Sequence, residues 1–433
     1  MVENEYEKSK RVRENRGRTA EHQLPRGVHR VSPKQQEMVA PAHSSHSLGF
    51  RFVDGAVRYR SGAIYLHALL RGRSTVRRTW LKKLGLAGGA TVIAFVLCEI
   101  AARLLYPAPP DPTREPQIQY QGDADVGYGH VPNQQGWIDD GWVTINSLGL
   151  RGPEPAMPKP KGLFRFMVLG DSCTVGWGVN DDETFCSVLE RLLCEAYPGR
   201  QFEVINCGVA GYDTQNEERQ LKRLAPLFQP DFVLVTFFHN DLPHNGLTPD
   251  GDKGVEQIIS PKPGQIFRMV PRRNWLNRTL RQSRAIYCIK DSMMRMKNTG
   301  ANLDMQAAWE LALLDGKRSS AIEEAWRAEE EILKRMRSLA NSYKCPIGLM
   351  ASPCREQVRQ DYPNARYQSK VKEIGDRLGI LVVDPLPLFI DRRGQVSELF
   401  IPYDRYHASA AGHRLIGQSL FDFLKNNLTL AKN

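Results

Sequence analysis

Strand-like apolar runs alternate with helix-like stretches along most of the chain from residue 163 onward. Five short apolar runs predict strands, and stretches with helical spacing of their apolar residues lie between and after them. The strands are predicted at 164–169, 202–206, 231–238, 346–352 and 380–384, and the helices at 184–196, 214–228, 319–343, 362–378 and 408–425. The third strand is apolar almost throughout, as in a parallel sheet covered on both faces. The pattern therefore predicts an α/β domain with a doubly wound, five-stranded parallel sheet.

Two segments depart from this alternation. Residues 106–162 begin with a proline-rich linker and continue with turn-rich sequence, in which short strands are expected to pack onto the main domain. Residues 243–318 form an insert after the third strand and mix apolar residues with many Lys and Arg. We favour a solvated helical insertion, and the alternative is a cap that faces a membrane or covers the substrate.

A long apolar segment occupies residues 84–102, with Glu99 as its only charged residue. Its 19 residues are about what a helix needs to cross a hydrocarbon core of roughly 30 Å. Basic residues precede it at positions 77, 78, 82 and 83, whereas Arg103 alone follows closely, so the positive-inside rule predicts a cytoplasmic N-terminus. We expect a single-pass anchor at 84–105, with Glu99 able to pair with Arg103. A cleaved export signal and a buried core helix are the alternatives.

The positive charge of the chain lies outside the predicted α/β domain at 163–433. The net charge is +11, and residues 1–83 hold 18 Lys and Arg against 7 Asp and Glu, whereas the remainder holds 41 of each. A nucleic-acid-binding core normally carries its own basic surplus, so nucleic acid is not an expected partner. Residues 1–83 are expected to be a disordered cytoplasmic tail. The eight cysteines show no metal-binding spacing, and one or two disulfides remain open.

Four loops after predicted strands carry groups suited to ester hydrolysis. They contain Ser172, Gly211, Asn240, and the pair Asp404 and His407. Loops at the carboxyl ends of parallel strands meet at one edge of the sheet. A serine hydroxyl needs a neighbouring imidazole to take its proton, and the imidazole needs a carboxylate to orient it. The backbone N–H groups of Ser172 and Gly211 and the Asn240 amide would stabilise the oxyanion.

These blocks resemble the SGNH hydrolase family, also called GDSL esterases/lipases. The matching text is GDS at Ser172, GVAGYDT at Gly211, HND at Asn240, and DRYH at Asp404 and His407. The resemblance covers about residues 163–426 and implies a flavodoxin-like sheet order and a Ser-His-Asp hydrolase that needs no metal or organic cofactor. The third block departs from the usual G-x-N-D, because Phe and His precede Asn240. The apolar segment and the text INSLGLRGPE also resemble a membrane-anchored bacterial envelope type of this family.

Other residues allow competing interpretations. Asp241 and His244 form a second D-x-x-H, which is less favoured because it shares a loop with Asn240. Cys173 should point away from the pocket, and His239 with Asp241 and His244 lacks a supporting cluster of metal ligands. Three residues have structural alternatives: Ser172 as a helix cap, Asp171 as a hydrogen-bonding partner in the serine loop, and His413 as a surface or packing residue.

The expected function is that of a serine esterase outside the cytoplasmic membrane, acting on acyl esters of a glycan or a lipid. Location alone favours acetyl esters of envelope glycans. Two alternatives stay open: an O-acyltransferase that passes the acyl group to a sugar hydroxyl, and a non-catalytic envelope scaffold that retains the fold. Hydrolysis and transfer differ in how dry the pocket is, which the sequence does not report.

Overall fold

The apolar segment near the N-terminus lies within one long helix, α1 (Arg58–Leu105), of the computed structural model. The structure describes residues 58–109, 111–242, 261–270, 282–297, 313, 316, 319–359 and 367–427. Residues 1–57 of the predicted tail at 1–83, and most of the predicted insert, lie outside these residues. Residues 58–83, which were expected to belong to the disordered tail, form the first part of α1. The chain divides into two units, Met1–Lys82 and Lys83–Asn433.

The part of α1 from Trp80 to Leu105 is long and apolar enough to cross a membrane. This part has 26 residues, and its most apolar 18-residue stretch has a mean hydropathy of 2.0 and is not buried in the protein. The expected pair is present, with Arg103 Nε 2.8 Å from Glu99 Oε1. These properties fit a membrane span, and an export signal has the same length and composition.

Four short strands follow, as the turn-rich sequence predicted: β1 (Tyr120–Asp123), β2 (Gly127–His130), β3 (Gln134–Ile138) and β4 (Gly141–Ile145). β1 pairs antiparallel with β2 and also with β8 (Ile266–Phe267), which comes from the predicted insert. The side chains of Tyr120, Tyr128 and Val143 pack in one buried cluster with Val175 and Tyr212 of the main domain. The accessory strands therefore lie directly on the loops that follow the main strands.

The main sheet has five parallel strands, which confirms the predicted fold class. They are β5 (Leu163–Leu169), β6 (Gln201–Asn206), β7 (Phe232–Phe237), β9 (Ile347–Ala351) and β10 (Leu381–Val383). Their spatial order is β6-β5-β7-β9-β10, so the second strand along the chain lies at one edge and the first lies inside it. This is the flavodoxin-like order, in which ligands bind beyond the carboxyl ends of the strands.

Five helices lie between and after the strands at nearly the predicted positions: α3 (Phe185–Ala196), α4 (Thr214–Phe228), α6 (Ser320–Ser342), α8 (Tyr367–Leu378) and α11 (Ala410–Asn427). The described residues also form α5 (Arg284–Lys297), which lies in the predicted insert, and four short helices that the sequence did not predict: α2 (Ser172–Val175), α7 (Arg355–Arg359), α9 (Leu386–Ile390) and α10 (Val396–Leu399). Capping side chains explain several boundaries. Thr184 accepts from the N–H of Ser187 at the start of α3, and Ser319 accepts from Ile322 at the start of α6.

Successive residues of each strand point to opposite faces of the sheet and so build two cores. Met167 and Leu169 pack with apolar residues of α4, α6 and α8. Phe166 and Val168 pack on the other face with residues of α3 and α11. All eight cysteines are free thiols, so the fold rests on these cores rather than on disulfides.

Candidate active site

Ser172 begins the one-turn helix α2 directly after the first strand of the sheet. Gly170 makes this tight turn possible, because a Cβ there would lie 2.0 Å from each of two threonine hydroxyls. Asp171 caps α2, and its Oδ1 accepts a hydrogen bond of 2.8 Å from the N–H of Cys173. The sequence thus holds the Ser172 side chain at the carboxyl edge of the sheet, with Asp171 in the expected hydrogen-bonding role.

His407 and Asp404 reach the same place from the loop before α11, 235 residues away in sequence from Ser172. His407 Nε2 lies 2.8 Å from Ser172 Oγ, and His407 Nδ1 lies 2.8 Å from Asp404 Oδ2. The other carboxylate oxygen, Oδ1, accepts from the backbone N–H groups of Tyr406 at 2.7 Å and His407 at 2.8 Å. The carboxylate therefore fixes both the turn and the orientation of the ring.

The electrostatics of this pair favour a negative carboxylate beside a basic imidazole. Burial alone would raise the pKa of Asp404, but His407 and the two backbone N–H groups outweigh it and lower that pKa to about 2. Burial alone would lower the pKa of His407, yet the adjacent Asp404 outweighs it and raises that pKa above its ordinary value. Both side chains keep some solvent contact, at 17% exposed for His407 and 22% for Asp404. The imidazole can thus accept a proton and remain open to a ligand.

The three predicted oxyanion donors lie in the loops after β5, β6 and β7. Asn240 sits in a single 3₁₀ turn (His239–Asp241), and its Nδ2 donates to Asp171 Oδ2 at 3.0 Å. That bond fixes the carboxamide and leaves its second N–H to donate elsewhere. Within the described part of the chain, the backbone N–H groups of Ser172 and Gly211 have no protein acceptor.

The backbone at Gly211 has a conformation that suits glycine. Its φ is +78°, and a Cβ there would lie 2.8 Å from the hydroxyl of Tyr128. That hydroxyl donates to the Ala210 carbonyl at 2.9 Å, which ties the loop to β2. The accessory strands thus hold the loop whose N–H was predicted to contact the substrate.

Sequence reasoning missed two further residues beside Ser172 and His407. The Trp177 ring stacks on the His407 ring, with centroids 5.6 Å apart and planes 23° from parallel. Buried Arg151 donates to the carbonyls of Val175 at 2.6 Å and Gly176 at 2.7 Å, and so holds the segment that carries Trp177. Two signals were available: a Trp five residues after the serine, and the Arg of INSLGLRGPE.

The competing candidates take structural positions. Cys173 packs against the apolar core, and burial raises the pKa of its thiol well above the usual range. The buried His239 ring lies against Phe238, and Asp241 Oδ2 accepts from the Phe238 N–H at 2.6 Å. His244 lies outside the described residues, so the second Asp/His pair stays untested. His413 is buried, stacks on a phenylalanine and accepts from its N–H, which is a packing role.

No metal site is apparent among the described residues, since no group of three or more His, Cys, Asp and Glu side chains there is arranged to hold an ion. A different set of acids lies buried behind the loop of Asn240. Burial raises the pKa values of Glu217, Asp241 and Glu329, that of Glu329 to about 8. Burial therefore favours the neutral form of these carboxyls.

The chain is similar to one known protein family and to several solved structures. The model of the GDSL-like Lipase/Acylhydrolase family matches residues 168–415. No curated protein matches the chain. Among solved structures, an α/β hydrolase from the metagenome of Lake Arreo, Spain, is 17% identical, with a TM-score of 0.36, over 60% of this chain and 95% of that one. An acetylxylan esterase mutant from Geobacillus stearothermophilus is 16% identical, with a TM-score of 0.35, over 62% and 97%. A lipase/acylhydrolase from Enterococcus faecalis is 18% identical, with a TM-score of 0.34, over 62% and 100%.

Proposed function

The chain belongs to the GDSL-like lipase/acylhydrolase family and is an ester-bond hydrolase, and from this premise we propose that it is a membrane-anchored serine esterase with a Ser172–His407–Asp404 triad. The observation that carries the proposal is the continuous hydrogen-bonded series, 2.8 Å from Ser172 Oγ to His407 Nε2 and 2.8 Å from His407 Nδ1 to Asp404. This is the geometry that serine nucleophiles require for activation by a base.

In the first half of the reaction, Ser172 Oγ attacks the acyl carbon of the ester while its proton passes to His407 Nε2. Asp404 stabilises the imidazolium that forms and keeps Nδ1 protonated. The imidazolium then donates its proton to the leaving alcohol oxygen as the ester bond breaks, which leaves an acyl group on Ser172. A water molecule next attacks the acyl carbon, His407 takes its proton, and the acid departs as Ser172 regains its own.

The oxyanion of each tetrahedral intermediate needs donors that are already in place. We assign the N–H groups of Ser172 and Gly211 and the Nδ2 of Asn240 to this role. Support comes from the bond between Asn240 and Asp171, which fixes the carboxamide before substrate arrives. Losing one such donor typically costs about 3–4 kcal/mol of transition-state stabilisation.

We place the catalytic domain outside the cytoplasmic membrane, held by the helix Trp80–Leu105. Its length, its hydropathy of 2.0 and its exposed side chains support an anchor. The basic residues before it, including Lys82 and Lys83, support a cytoplasmic N-terminus. The full chain should remain with membranes after alkaline carbonate washing, and its release into the supernatant would contradict the anchor.

The esterase activity is tested with p-nitrophenyl acetate and the full chain purified in detergent. Ser172→Ala should abolish turnover, whereas Ser338→Ala, at an exposed serine on α6, should leave it unchanged. Equal activity of Ser172→Ala and the parent would contradict the assignment. Acetylated glycans and lipid esters are then compared as substrates, because the location proposed above gives access to both. Turnover that requires a sugar acceptor would instead indicate an acyltransferase.

A further inference from the structure

Glu99, the only acidic residue of the apolar segment, binds the first turn of the insert helix α5. Its carboxylate accepts from the Ser283 hydroxyl at 2.7 Å and from the backbone N–H groups of Arg284 at 3.2 Å and Ala285 at 3.0 Å. These are groups that a helix N-terminus leaves without intrahelical partners. The contact therefore caps α5 and joins it to α1 across more than 180 residues of sequence.

A second set of bonds runs in the opposite direction, from α5 to the end of α1. The Arg284 guanidinium donates to the carbonyls of Arg103 at 2.7 Å and Tyr106 at 2.9 Å. The first carbonyl lies in the last turn of α1 and the second just beyond it, where no further turn exists to satisfy them. The two helix ends satisfy each other, so the depth of α1 in a bilayer also fixes the depth of α5.

That depth follows from the lengths of the segments. Between Lys83 and Arg103 the chain is free of charge except for Glu99, and 19 helical residues rise about 28 Å, close to the hydrocarbon thickness of roughly 30 Å. Arg103 then lies at the outer boundary of the hydrocarbon, and Glu99 lies one turn deeper. The first turn of α5, bound to Glu99, is consequently at the level where lipid tails meet headgroups.

The outer face of α5 has the composition of a helix that rests on lipid. Ile289 is 60% exposed and Met293 is 65% exposed, and their spacing of four residues places them on the same face. Lys290 is exposed next to them, where its amine can reach anionic headgroups. The opposite face of α5 packs on the protein and carries the half-buried Tyr287, and Ala285 is buried in the first turn beside Glu99.

This helix also touches the loop of the proposed triad. The Tyr287 ring lies edge-on to the ring of Tyr403, with centroids 4.7 Å apart. Tyr403 immediately precedes Asp404 in sequence, and its hydroxyl donates to the Pro107 carbonyl at 3.1 Å, just beyond the end of α1. The loop that orients His407 therefore contacts both α5 and the segment just beyond the end of α1.

We propose that Ile289, Lys290 and Met293 of α5 lie on the outer lipid surface of the membrane that α1 crosses, so that the esterase works at a lipid interface. The proposal rests on the membrane anchor of the proposed function and adds a second membrane contact beside the active site. The protein would thereby receive esters carried by membrane-resident molecules.

Site-specific photo-cross-linking tests this contact in the full chain, reconstituted in vesicles of phosphatidylglycerol and phosphatidylcholine in equal parts. The photoreactive residue p-benzoylphenylalanine replaces Ile289 or Met293 in turn. Val92, in the middle of the apolar segment, is the positive control. Leu227 is the matched control, because it is a 44%-exposed apolar residue in the last turn of α4, beside the amino end of β7 and thus at the opposite edge of the sheet.

Lipid adducts at positions 289, 293 and 92, with little at 227, are the expected result. Adducts at 92 without adducts at 289 and 293 would overturn the interfacial helix and leave the anchor intact. Equal labelling at 227 and 289 would also overturn it, since the contact would then not be specific to α5. Absence of adducts at 92 would contradict the anchor itself, and the interfacial contact would fall with it.

Discussion

The interaction between Asp404 and His407 provides the sharpest mutational test, through Asp404→Asn. The substitution preserves size, and the amide oxygen can still accept from the backbone N–H groups of Tyr406 and His407, so the turn should persist. Its NH₂ group, however, would then face the Nδ1–H of His407 at the position where an acceptor stood 2.8 Å away. The ring avoids two opposed donors by carrying its proton on Nε2, where it can no longer take one from Ser172.

We expect Asp404→Asn to lower kcat strongly and to change the free energy of unfolding little. The corresponding change in serine proteases lowers kcat by about 10⁴-fold, or about 5.5 kcal/mol, and the same tautomer argument applies here. The pH profile should move as well. Asp404 raises the pKa of His407 against the effect of burial, so loss of the charge leaves burial to lower that pKa. The acidic limb of kcat/KM, which reports protonation of the base, should therefore shift to lower pH.

The assay is kcat/KM for p-nitrophenyl acetate across the pH range, with thermal unfolding to verify the fold. Asp391→Asn, at an exposed aspartate in the segment that follows α9, is the matched control and should behave as the parent. Activity of Asp404→Asn within one order of magnitude of the parent, together with an unmoved acidic limb, would refute the assignment of Asp404.

Three further changes test other parts of the site. Asn240→Ala removes one oxyanion donor and should therefore lower kcat about 10²–10³-fold with KM little changed. Steady-state hydrolysis measures both constants, and a change in KM alone would argue against that role. Gly211→Ala should lower both the melting temperature and kcat/KM, since alanine at positive φ costs about 1–2 kcal/mol and its Cβ meets the Tyr128 hydroxyl. Adding Tyr128→Phe should recover part of that loss, and no recovery would refute the clash. Burial raises the pKa of Glu329 from 4.5 to about 8, so its contribution to stability is complete below pH 4.5 and is lost as pH rises toward 8. Glu329→Gln should therefore flatten the fall in unfolding free energy between those pH values, on the order of a few kcal/mol by urea unfolding, and an unchanged slope would contradict the raised pKa.

The sheet was predictable from the sequence because its strands are buried on both faces and read as apolar runs. The predicted bounds of the helix at 214–228 agree with those in the structure. The start of this helix is set locally by the side chain of Asp213, which accepts from the Asn216 N–H. The last strand is shorter than predicted, at Leu381–Val383 instead of 380–384, because it lies at the edge and pairs only with β9. Local signals thus predict the elements, and pairing decides where they end.

The polar groups of the candidate site were predictable from the sequence, whereas the long-range contacts that hold the structure in place were not. Ser172 and Asn240 lie just after strands, and Asp404 and His407 lie just before the last helix. The parallel topology brings these positions to one edge of the sheet. The contact from Tyr128 to the Ala210 carbonyl spans 82 residues, and that from Ser283 to Glu99 spans 184. No pattern within a segment records such contacts, since they arise only when separate segments pack together.

The central claim is that Ser172 is the nucleophile, and covalent trapping tests it most directly. The purified full chain is treated with a fluorophosphonate, and the modified peptide is located by mass spectrometry. The account predicts one adduct, on Ser172, and no adduct when His407 is replaced by Ala. An adduct on any other residue, or an unlabelled chain that still hydrolyses p-nitrophenyl acetate, would contradict it.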